Sequence, residues 1–358
     1  MVYLSEVDVP AGHLRSPLRV AVVLNGNARS VTEALLRELG QVVEHEALYV
    51  SRSEEQSKFI ARSVLNRGYD VVMCGGGDGT FSRCVTDVLA LRPRRMPAFG
   101  ILRLGTGNAL ATALGASSPD ALGLAADLRL ARRREAQEAL PLLRVDGRVA
   151  PFAGIGLDSL ILEDYNRTRH LLSPLGALGQ GPLGYAVAVA TRSFWRFALE
   201  RWPTVTIRNE GAPARRIDLR GRSVGVPVPH GAIIYQGVAG IAAASTIPFY
   251  GMGLKLFPQA LQRRDRFQLR VATLPAVEVL THLPALFRGE LDDERILDFQ
   301  CTAISINVDR PTALQIGGDE VGRRQEVRVG LTQVRAVSRT LSTASGGDVV
   351  EQRARLAL

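Results

Sequence analysis

A run of three glycines followed by an aspartate is the part of the sequence best suited to chemistry. Residues 75–80 read Gly-Gly-Gly-Asp-Gly-Thr, between an apolar run and a helical pattern. Glycines let backbone amides approach an anion, and a helix start adds unpaired donors and partial positive charge. Asp78 would repel a triphosphate there unless a proton or metal ion lies between them. We therefore predict phosphoryl transfer, with Asp78 catalytic and the phosphates bound by Gly75, Gly76, Gly77, Gly79 and Thr80.

Two further loops are expected beside the first one. Residues 105–108 (Gly-Thr-Gly-Asn) begin one strand–helix unit later, and residues 25–29 (Asn-Gly-Asn-Ala-Arg) follow the first apolar run. Ligands of open α/β sheets bind at the carboxyl ends of the strands, where all three loops would meet. One glycine loop alone is often only a turn, but three in register favour a nucleotide site. The predicted nucleotide-binding residues of these two loops are Asn25, Asn27, Arg29, Gly105, Thr106, Gly107 and Asn108.

The pattern around these loops alternates between strands and helices up to about residue 140. Such alternation predicts a parallel sheet with helices on both faces. Predicted strands cover 18–24, 47–50, 69–74 and 97–102, and predicted helices cover 31–40, 53–67, 80–91 and 108–114.

Strand-like runs dominate after residue 141 and predict a second, mainly antiparallel domain. They cover 142–145, 204–207, 232–235, 267–272, 302–308, 313–316 and 327–329, with helical patterns at 159–168, 183–197 and 276–288. The predicted fold is a three-layer α/β domain with a parallel sheet, followed by a mainly antiparallel, β-rich domain. Its boundaries are an extension (1–17), the α/β domain (18–140), the β-rich domain (141–340) and a tail (341–358).

Composition limits the classes of function. The formal net charge of +9 favours anionic partners without choosing among them, and the three cysteines have no zinc-like spacing. Residues 1–13 lack the apolar run of a signal peptide, and the uncharged stretches 171–191 and 223–254 are interrupted by prolines and glycines. We expect a soluble cytoplasmic protein without a transmembrane segment. The two uncharged stretches are candidates for an apolar pocket or a surface that touches lipid.

These motifs together resemble a known family. The pair GGGDGT and GTGNALA, thirty residues apart, is similar to the signature of the diacylglycerol kinase and sphingosine kinase catalytic family. Segments 152–158, 181–185 and 249–258 also resemble that family's pattern. The resemblance implies that residues 18–140 form a nucleotide-binding domain and residues 141–340 a β-sandwich-like domain for the lipid substrate. It also implies ATP and Mg²⁺ in the cleft between the two domains, with the first motif on the phosphates. GGDGT alone is shared with NAD kinases and phosphofructokinases, so the second motif and the later segments narrow the resemblance to lipid kinases.

The sequence departs from the family pattern at several positions. Ala109 stands where bacterial diacylglycerol kinase relatives usually carry Asp, and in this it resembles the sphingosine kinases, which carry alanine there. Gly317 stands where the family has the Asp of Asp-Gly-Glu, a proposed base. A local shift would give that role to Asp319, although an acidic turn is an equal alternative. The family's structural Mg²⁺ site is not legible around 263–266, so the metal ligands stay unknown. Acidic residues that either face the acceptor or simply favour a helix start are Asp158, Glu163 and Asp164.

The resulting expectation is a kinase that transfers the γ-phosphoryl of ATP to a lipid hydroxyl, such as that of diacylglycerol or a sphingosine-type base. The lipid substrate would be met by peripheral contact with a membrane surface. No nucleic-acid partner is expected, and a homodimer stays open. The alternatives are an NAD kinase-like enzyme and a non-catalytic protein that binds lipid or nucleotide.

Overall fold

A computed structural model of the chain describes residues 17–105, 107–156, 202–250 and 253–340. The predicted helices at 159–168 and 183–197 therefore lie outside the described residues. Within them, no helix is long and apolar enough to cross a membrane.

The N-terminal part is a parallel sheet of four strands in the order β2-β1-β3-β4. These strands are β1 (Val20–Asn25), β2 (Leu48–Ser51), β3 (Val71–Gly76) and β4 (Ala98–Arg103). The helices are α1 (Glu33–Val42), α2 (Glu54–Asn66), α3 (Asp78–Ala90), α4 (Ala109–Ala113) and α5 (Ala121–Ala131), with short 3-10 turns at His45–Ala47 and Arg134–Ala136. Each strand is followed by a helix, as the alternating pattern predicts.

Hydrophobic burial on both faces explains why this sheet forms. Val72 and Phe99 pack in one cluster with α3 and α4, whereas Met73 and Leu102 pack in another with α1 and α5. Central parallel strands are covered on both sides, so their sequences are continuous apolar runs. The sequence did not predict α5, because its apolar residues stand at most positions and hide the helical period.

The C-terminal part is antiparallel and continues the same sheet in the order β15-β14-β7-β11-β12-β13-β9, with β10-β8 and β6-β5 attached to β14 and β15. The strands are β5 (Gln137–Val145), β6 (Arg148–Ala150), β7 (Phe152–Gly156), β8 (Thr204–Asn209), β9 (Arg215–Ile217), β10 (Ile233–Val238), β11 (Ile241–Ser245), β12 (Phe267–Ala272), β13 (Ile296–Cys301), β14 (Ala303–Ile316) and β15 (Asp319–Val337). The predicted combination of a parallel N-terminal sheet and antiparallel C-terminal strands is confirmed.

One predicted helix is divided in two. The pattern at 276–288 forms α6 (Ala276–Thr281) and α7 (Leu283–Arg288), which meet at His282. Pro284 lies in the first turn of α7, where its missing N–H is tolerated, whereas the interior of a longer helix would lose a hydrogen bond there.

The last strand joins the two parts of the molecule. The second half of β15, from Val329 to Val337, pairs with β5, and near the end of the strand Ala336 pairs in parallel with Phe99 of β4. The end of β15 therefore belongs to the parallel sheet, and the predicted domain boundary at residue 140 falls inside β5. The N-terminal loops and the turn between β14 and β15 are consequently parts of one continuous sheet.

Candidate active site

The loops at residues 75–80 and 105–108 touch each other at the carboxyl ends of β3 and β4. A Cβ atom on Gly105 would lie 2.2 Å from the Cα of Gly77, so only a glycine lets the two backbones approach this closely. The amide of Asp78 donates to the carbonyl oxygen of Gly107 at 3.3 Å, and that of Leu104 donates to Gly76 at 3.4 Å. Glycine at these positions thus serves contact between loops as well as access for an anion.

The loop after β1 reaches the same place through Asn25. Its Nδ2 donates to Thr80 Oγ1 at 3.2 Å, while its Oδ1 accepts from the amide of Asn27 at 3.0 Å. Asn27 in turn donates from Nδ2 to the carbonyl oxygen of Arg52 at 2.9 Å. Arg29 is exposed, and no hydrogen bond or ion pair to its side chain occurs within the described ranges. Asn25 and Asn27 therefore shape the loop, and Arg29 is left for solvent or a ligand.

The carboxylate of Asp78 is buried and bound to the start of α4. Its Oδ2 accepts from the amide of Ala109 at 3.0 Å, and its Oδ1 accepts from the amide of Leu110 at 2.8 Å. Only 4% of the residue is exposed. A carboxylate is favoured at a helix N-terminus because the first-turn amides lack acceptors of their own. Asp78 thus ties the GGGDGT loop to the helix that follows GTGN.

Burial raises the pKa of Asp78 to about 6, against the opposing effect of the amide hydrogen bonds from Leu110 and Ala109. The carboxylate is therefore ionised at neutral pH with both oxygens engaged. Its predicted role in handling a proton or a cation remains a prediction, because these two amides already provide a reason for an acidic residue in the loop.

The amides at the start of α3 are the donors that this arrangement leaves for an anion. Gly79 and Thr80 lie in the first turn, where backbone N–H groups have no acceptor within the helix. Asn108 closes the neighbouring loop, because its Nδ2 donates to the carbonyl oxygen of Gly105 at 2.6 Å and its Oδ1 accepts from the same residue's amide at 3.3 Å. Thr106 lies outside the described residues.

The turn between β14 and β15 carries Asp319 to these loops. Gly317 and Gly318 have φ angles of +61° and +87°, which suit the two-residue turn that joins Ile316 to Asp319. The amide of Gly317 donates to the carbonyl oxygen of Phe152 at 2.8 Å. A Cβ atom on Gly317 would lie 2.5 Å from Ser82 Oγ, so the turn has no room for a side chain at this position. The departure from the family at residue 317 therefore has a local steric reason.

Asp319 lies directly against α3. A Cβ atom added to Gly79 would be 2.8 Å from Asp319 Oδ1 and 3.1 Å from Oδ2. In the described part of the chain, no hydrogen bond to this carboxylate is present. The sequence hypothesis that Asp319 lies in the site thus has a geometric basis, although its role as the base remains a prediction.

Charged neighbours shift the pKa of Asp319 in opposite directions. Burial raises its pKa, Arg83 and Arg148 lower it, and Glu54 raises it. Arg83 pairs with Glu54 at 2.7 Å on the side of α3 that faces this turn. Neither Arg83 nor Arg148 was predicted from the sequence as a site residue. Arg83 could have been predicted, because a residue four positions after Gly79 lies on the same face of a helix.

Asp158, Glu163 and Asp164 lie outside the described residues. Within the described ranges, no group of three or more His, Cys, Asp or Glu side chains forms a metal site. Asp265 pairs with Arg263 at 2.9 Å and lies 3.9 Å from Arg266. All three cysteines are free and buried.

Comparison with known proteins gives matches to the sequence and to the fold. The family model of the diacylglycerol kinase catalytic domain matches residues 19–139. The Salmonella typhimurium (strain LT2) protein named "Probable lipid kinase YegS" is 32% identical over 313 residues, which are 85% of this chain and 90% of that protein. The match to the Salmonella arizonae protein of the same name is 32% identical over 114 residues, 31% of this chain and only 37% of that protein.

A solved structure agrees with these sequence matches at the level of the fold. The crystal structure of a diacylglycerol kinase from Bacillus anthracis superposes with a TM-score of 0.57 at 14% identity, covering 91% of this chain and 98% of that one. At that identity the likeness shows the fold alone. The sequence match along most of the chain carries the further step: the protein belongs to the diacylglycerol kinase catalytic-domain family of lipid kinases.

Proposed function

We propose that the protein transfers the γ-phosphoryl of ATP to a hydroxyl group of a lipid. The observation that carries this proposal is the position of the Asp319 carboxylate, 2.8 Å from where a Gly79 Cβ would be, beside the amides that begin α3. A proton acceptor next to an anion-binding helix start is what phosphoryl transfer to a hydroxyl requires. The acceptor lipid would be met at a membrane surface on the cytoplasmic side.

Phosphate binding falls to the backbone in this proposal. The first-turn amides of Gly79 and Thr80 would donate to phosphate oxygens, and the partial positive charge of the helix start would add to their effect. Asp78 keeps the two glycine loops together through the amides of Ala109 and Leu110. Arg29, which is exposed beside this edge, would neutralise a more distant phosphate.

Asp319 would accept the proton of the acceptor hydroxyl. The hydroxyl oxygen would attack the γ-phosphorus, the bond from phosphorus to the bridging oxygen of ADP would break, and the proton would pass to a carboxylate oxygen of Asp319. Of the two site aspartates, Asp319 suits this step better. Both oxygens of Asp78 already accept backbone hydrogen bonds, whereas no such bond to Asp319 occurs within the described ranges.

A Mg²⁺ ion would fit this site if phosphate oxygens supplied most of its ligands. Protein sites for Mg²⁺ commonly supply one or two carboxylates, and phosphate oxygens and water complete the coordination. Among the described residues of the site, Asp319 is the aspartate that accepts no hydrogen bond, so it would be the protein ligand and the phosphates would hold most of the ion. Bound there, Mg²⁺ would neutralise charge on the phosphates.

The test is a phosphoryl-transfer assay with γ-labelled ATP and a panel of acceptors: diacylglycerol, monoacylglycerol, ceramide, sphingosine and NAD. We expect label on at least one lipid, and we expect Asp319→Asn to lower kcat by about 10²- to 10⁴-fold, the usual contribution of a general base. Asp78→Asn is assayed alongside, because full activity in that variant would remove any need for an acid in the glycine loop.

Three other outcomes would contradict the proposal. Full activity of Asp319→Asn would remove Asp319 from the proton transfer. Transfer to NAD with no labelled lipid would indicate an NAD kinase-like enzyme. Calorimetric binding of ATP without transfer to any acceptor would indicate a non-catalytic binding protein.

A further inference from the structure

An exposed apolar segment follows the edge strand β9. After Arg215–Ile217 the chain turns, and residues 223–228 return beside β9 through bridges from Ala214 to Val228 and from Ile217 to Ser223. We call residues 214–228 the valine hairpin. Val226 is 88% exposed and Val224 is 44% exposed. Both valines lie in the uncharged stretch 223–254 that the sequence marks as a candidate surface for lipid.

Backbone hydrogen bonds hold these valines in place. Ala214 and Val228 exchange two amide–carbonyl bonds of 2.8 Å, and the amide of Val224 donates to Arg216 at 2.9 Å. Asp218 closes the turn, because one of its carboxylate oxygens accepts from the amides of Arg220 and Arg222, each at 2.9 Å. The hairpin thus holds the two valines in solvent. Covering such apolar surface with an apolar medium lowers the free energy of the system.

The hairpin itself is positively charged. Residues 214–228 contain four arginines (215, 216, 220 and 222) and one acid (Asp218), a net charge of +3. Arg216 and Arg220 are exposed, and neither has an ion pair within the described residues. The hairpin therefore combines exposed aliphatic side chains with two arginines, Arg216 and Arg220, that could bind an anionic partner.

We propose that the valine hairpin docks on an anionic lipid bilayer. Val224 and Val226 enter the interface, and the surrounding arginines contact lipid phosphates. A bilayer offers negative charge at its surface and apolar chains a few ångströms below, which matches both features of the hairpin. A nucleic acid would engage the arginines and leave the valines in water. This inference rests on the proposed function, because docking on a membrane would serve a kinase whose acceptor is a membrane lipid.

The sheet register connects the hairpin to the active site. Gly317, in the turn before Asp319, donates to Phe152, and Phe152 begins a row of paired residues that ends at Arg215. The row passes through Ser245, Gln268 and Gln300. Five strand steps of about 4.8 Å place the hairpin roughly 24 Å from that turn along one edge of the sheet. The hairpin and the turn that carries Asp319 are thus joined by one row of paired residues across the sheet.

The test is flotation of the full chain with vesicles of phosphatidylcholine alone or with 30% phosphatidylglycerol, at low and high salt. We expect binding to the anionic vesicles that salt weakens, and a partition coefficient at least tenfold lower for Val226→Asp. Leu122→Asp is the matched control, because Leu122 is 82% exposed but lies on α5, and it should bind like the unchanged protein. Replacing Arg216 and Arg220 together by Gln should reduce binding to the anionic vesicles only.

Failure of this inference can be separated from failure of the proposed function. Val226→Asp should lose activity toward vesicle-embedded lipid and keep activity toward a short-chain acceptor in solution. Unchanged vesicle binding by Val226→Asp would overturn the docking site whatever the activity. Vesicle binding that depends on Val226 in a protein without kinase activity would support docking and reject the kinase. Conversion of a dimer to a monomer by Val226→Asp, with vesicle binding intact, would identify a second copy as the occupant instead.

Discussion

The glycine loop after β3 and the turn between β14 and β15 each bring one aspartate to the site, and the two carboxylates differ in what they contact. Asp78 is almost fully buried and accepts from two backbone amides. Asp319 is half-buried, and no hydrogen bond to its carboxylate is found in the described part of the chain. The glycine-rich motif thus carries the aspartate whose two oxygens already accept backbone hydrogen bonds.

This contrast separates two uses of an acidic side chain. A carboxylate that receives backbone amides organises the chain around it, because those amides would otherwise be buried without partners. A carboxylate next to an anion-binding helix start, without donors of its own, is available for a proton. The same residue type in one site can therefore serve structure at one position and chemistry at the other, and the following experiments test that division.

The largest expected difference is in stability. Asp78→Asn leaves one of the amides of Ala109 and Leu110 facing an NH₂ group, so we expect the free energy of unfolding to fall by about 1–3 kcal/mol. Asp319→Asn removes a partly buried charge that makes no hydrogen bond among the described residues and whose ionisation is opposed by burial, so the free energy of unfolding should hold or rise slightly. Urea denaturation followed by circular dichroism at pH 7.5 measures both. Equal losses in the two variants would contradict the division of roles.

A single methyl group at Gly79 should separate activity from stability. In Gly79→Ala the new Cβ would lie 2.8 Å from Asp319 Oδ1, so that carboxylate must move. Because Gly79 is in the first turn of α3 and the contact is with the end of a side chain, the free energy of unfolding should hold or rise slightly. We expect kcat to fall about tenfold or more, since displaced catalytic groups lose much of their effect.

Gly40→Ala is the matched control for this experiment. Gly40 lies in α1 with nothing within 4 Å of an added Cβ, so stability should rise by roughly 0.5–1 kcal/mol while kcat stays unchanged. Undiminished kcat in Gly79→Ala would show that the position of Asp319 against α3 does not matter for turnover.

The smallest expected effect is on the pH dependence. Burial raises the pKa of Asp319 and raises that of Asp78 to about 6, and each carboxylate acts in its ionised form. We therefore expect kcat/KM to fall as the pH is lowered, because Asp78 is protonated through about 6 and Asp319 is protonated above the ordinary range of an aspartate. Unfolding is followed at each pH as a control. Arg83 lowers the pKa of Asp319 and Glu54 raises it.

These two neighbours should move the acid limb in opposite directions. Arg83→Gln raises the pKa of Asp319 and shifts the fall in activity to higher pH, whereas Glu54→Gln shifts it to lower pH. Both shifts should be modest, because the two side chains are 33% and 57% exposed and solvent screens their charges. Shifts of the same sign in both variants would show that Asp319 does not set the acid limb.

Much of the fold was accessible from the sequence because it is encoded locally. The apolar runs before residues 25, 75 and 105 and the helical spacing after them predict parallel strands joined by helices, and the glycines between them predict turns that bind anions. Pairings across the chain were not accessible in this way. The division of 276–288 at His282 and the entry of the end of β15 into the parallel sheet depend on packing against distant strands.

By itself the sequence determined which loops share an edge of the sheet, because strand period, helix spacing and glycine position are properties of neighbouring residues. Only the tertiary structure decided how the two aspartates are used. Asp78 meets amides 31 and 32 residues away, and Asp319 meets Gly79 from the far end of the chain. Contacts between residues so far apart depend on strand register and on the close approach of two backbones at glycines. Neither can be predicted from the pattern of neighbouring residues.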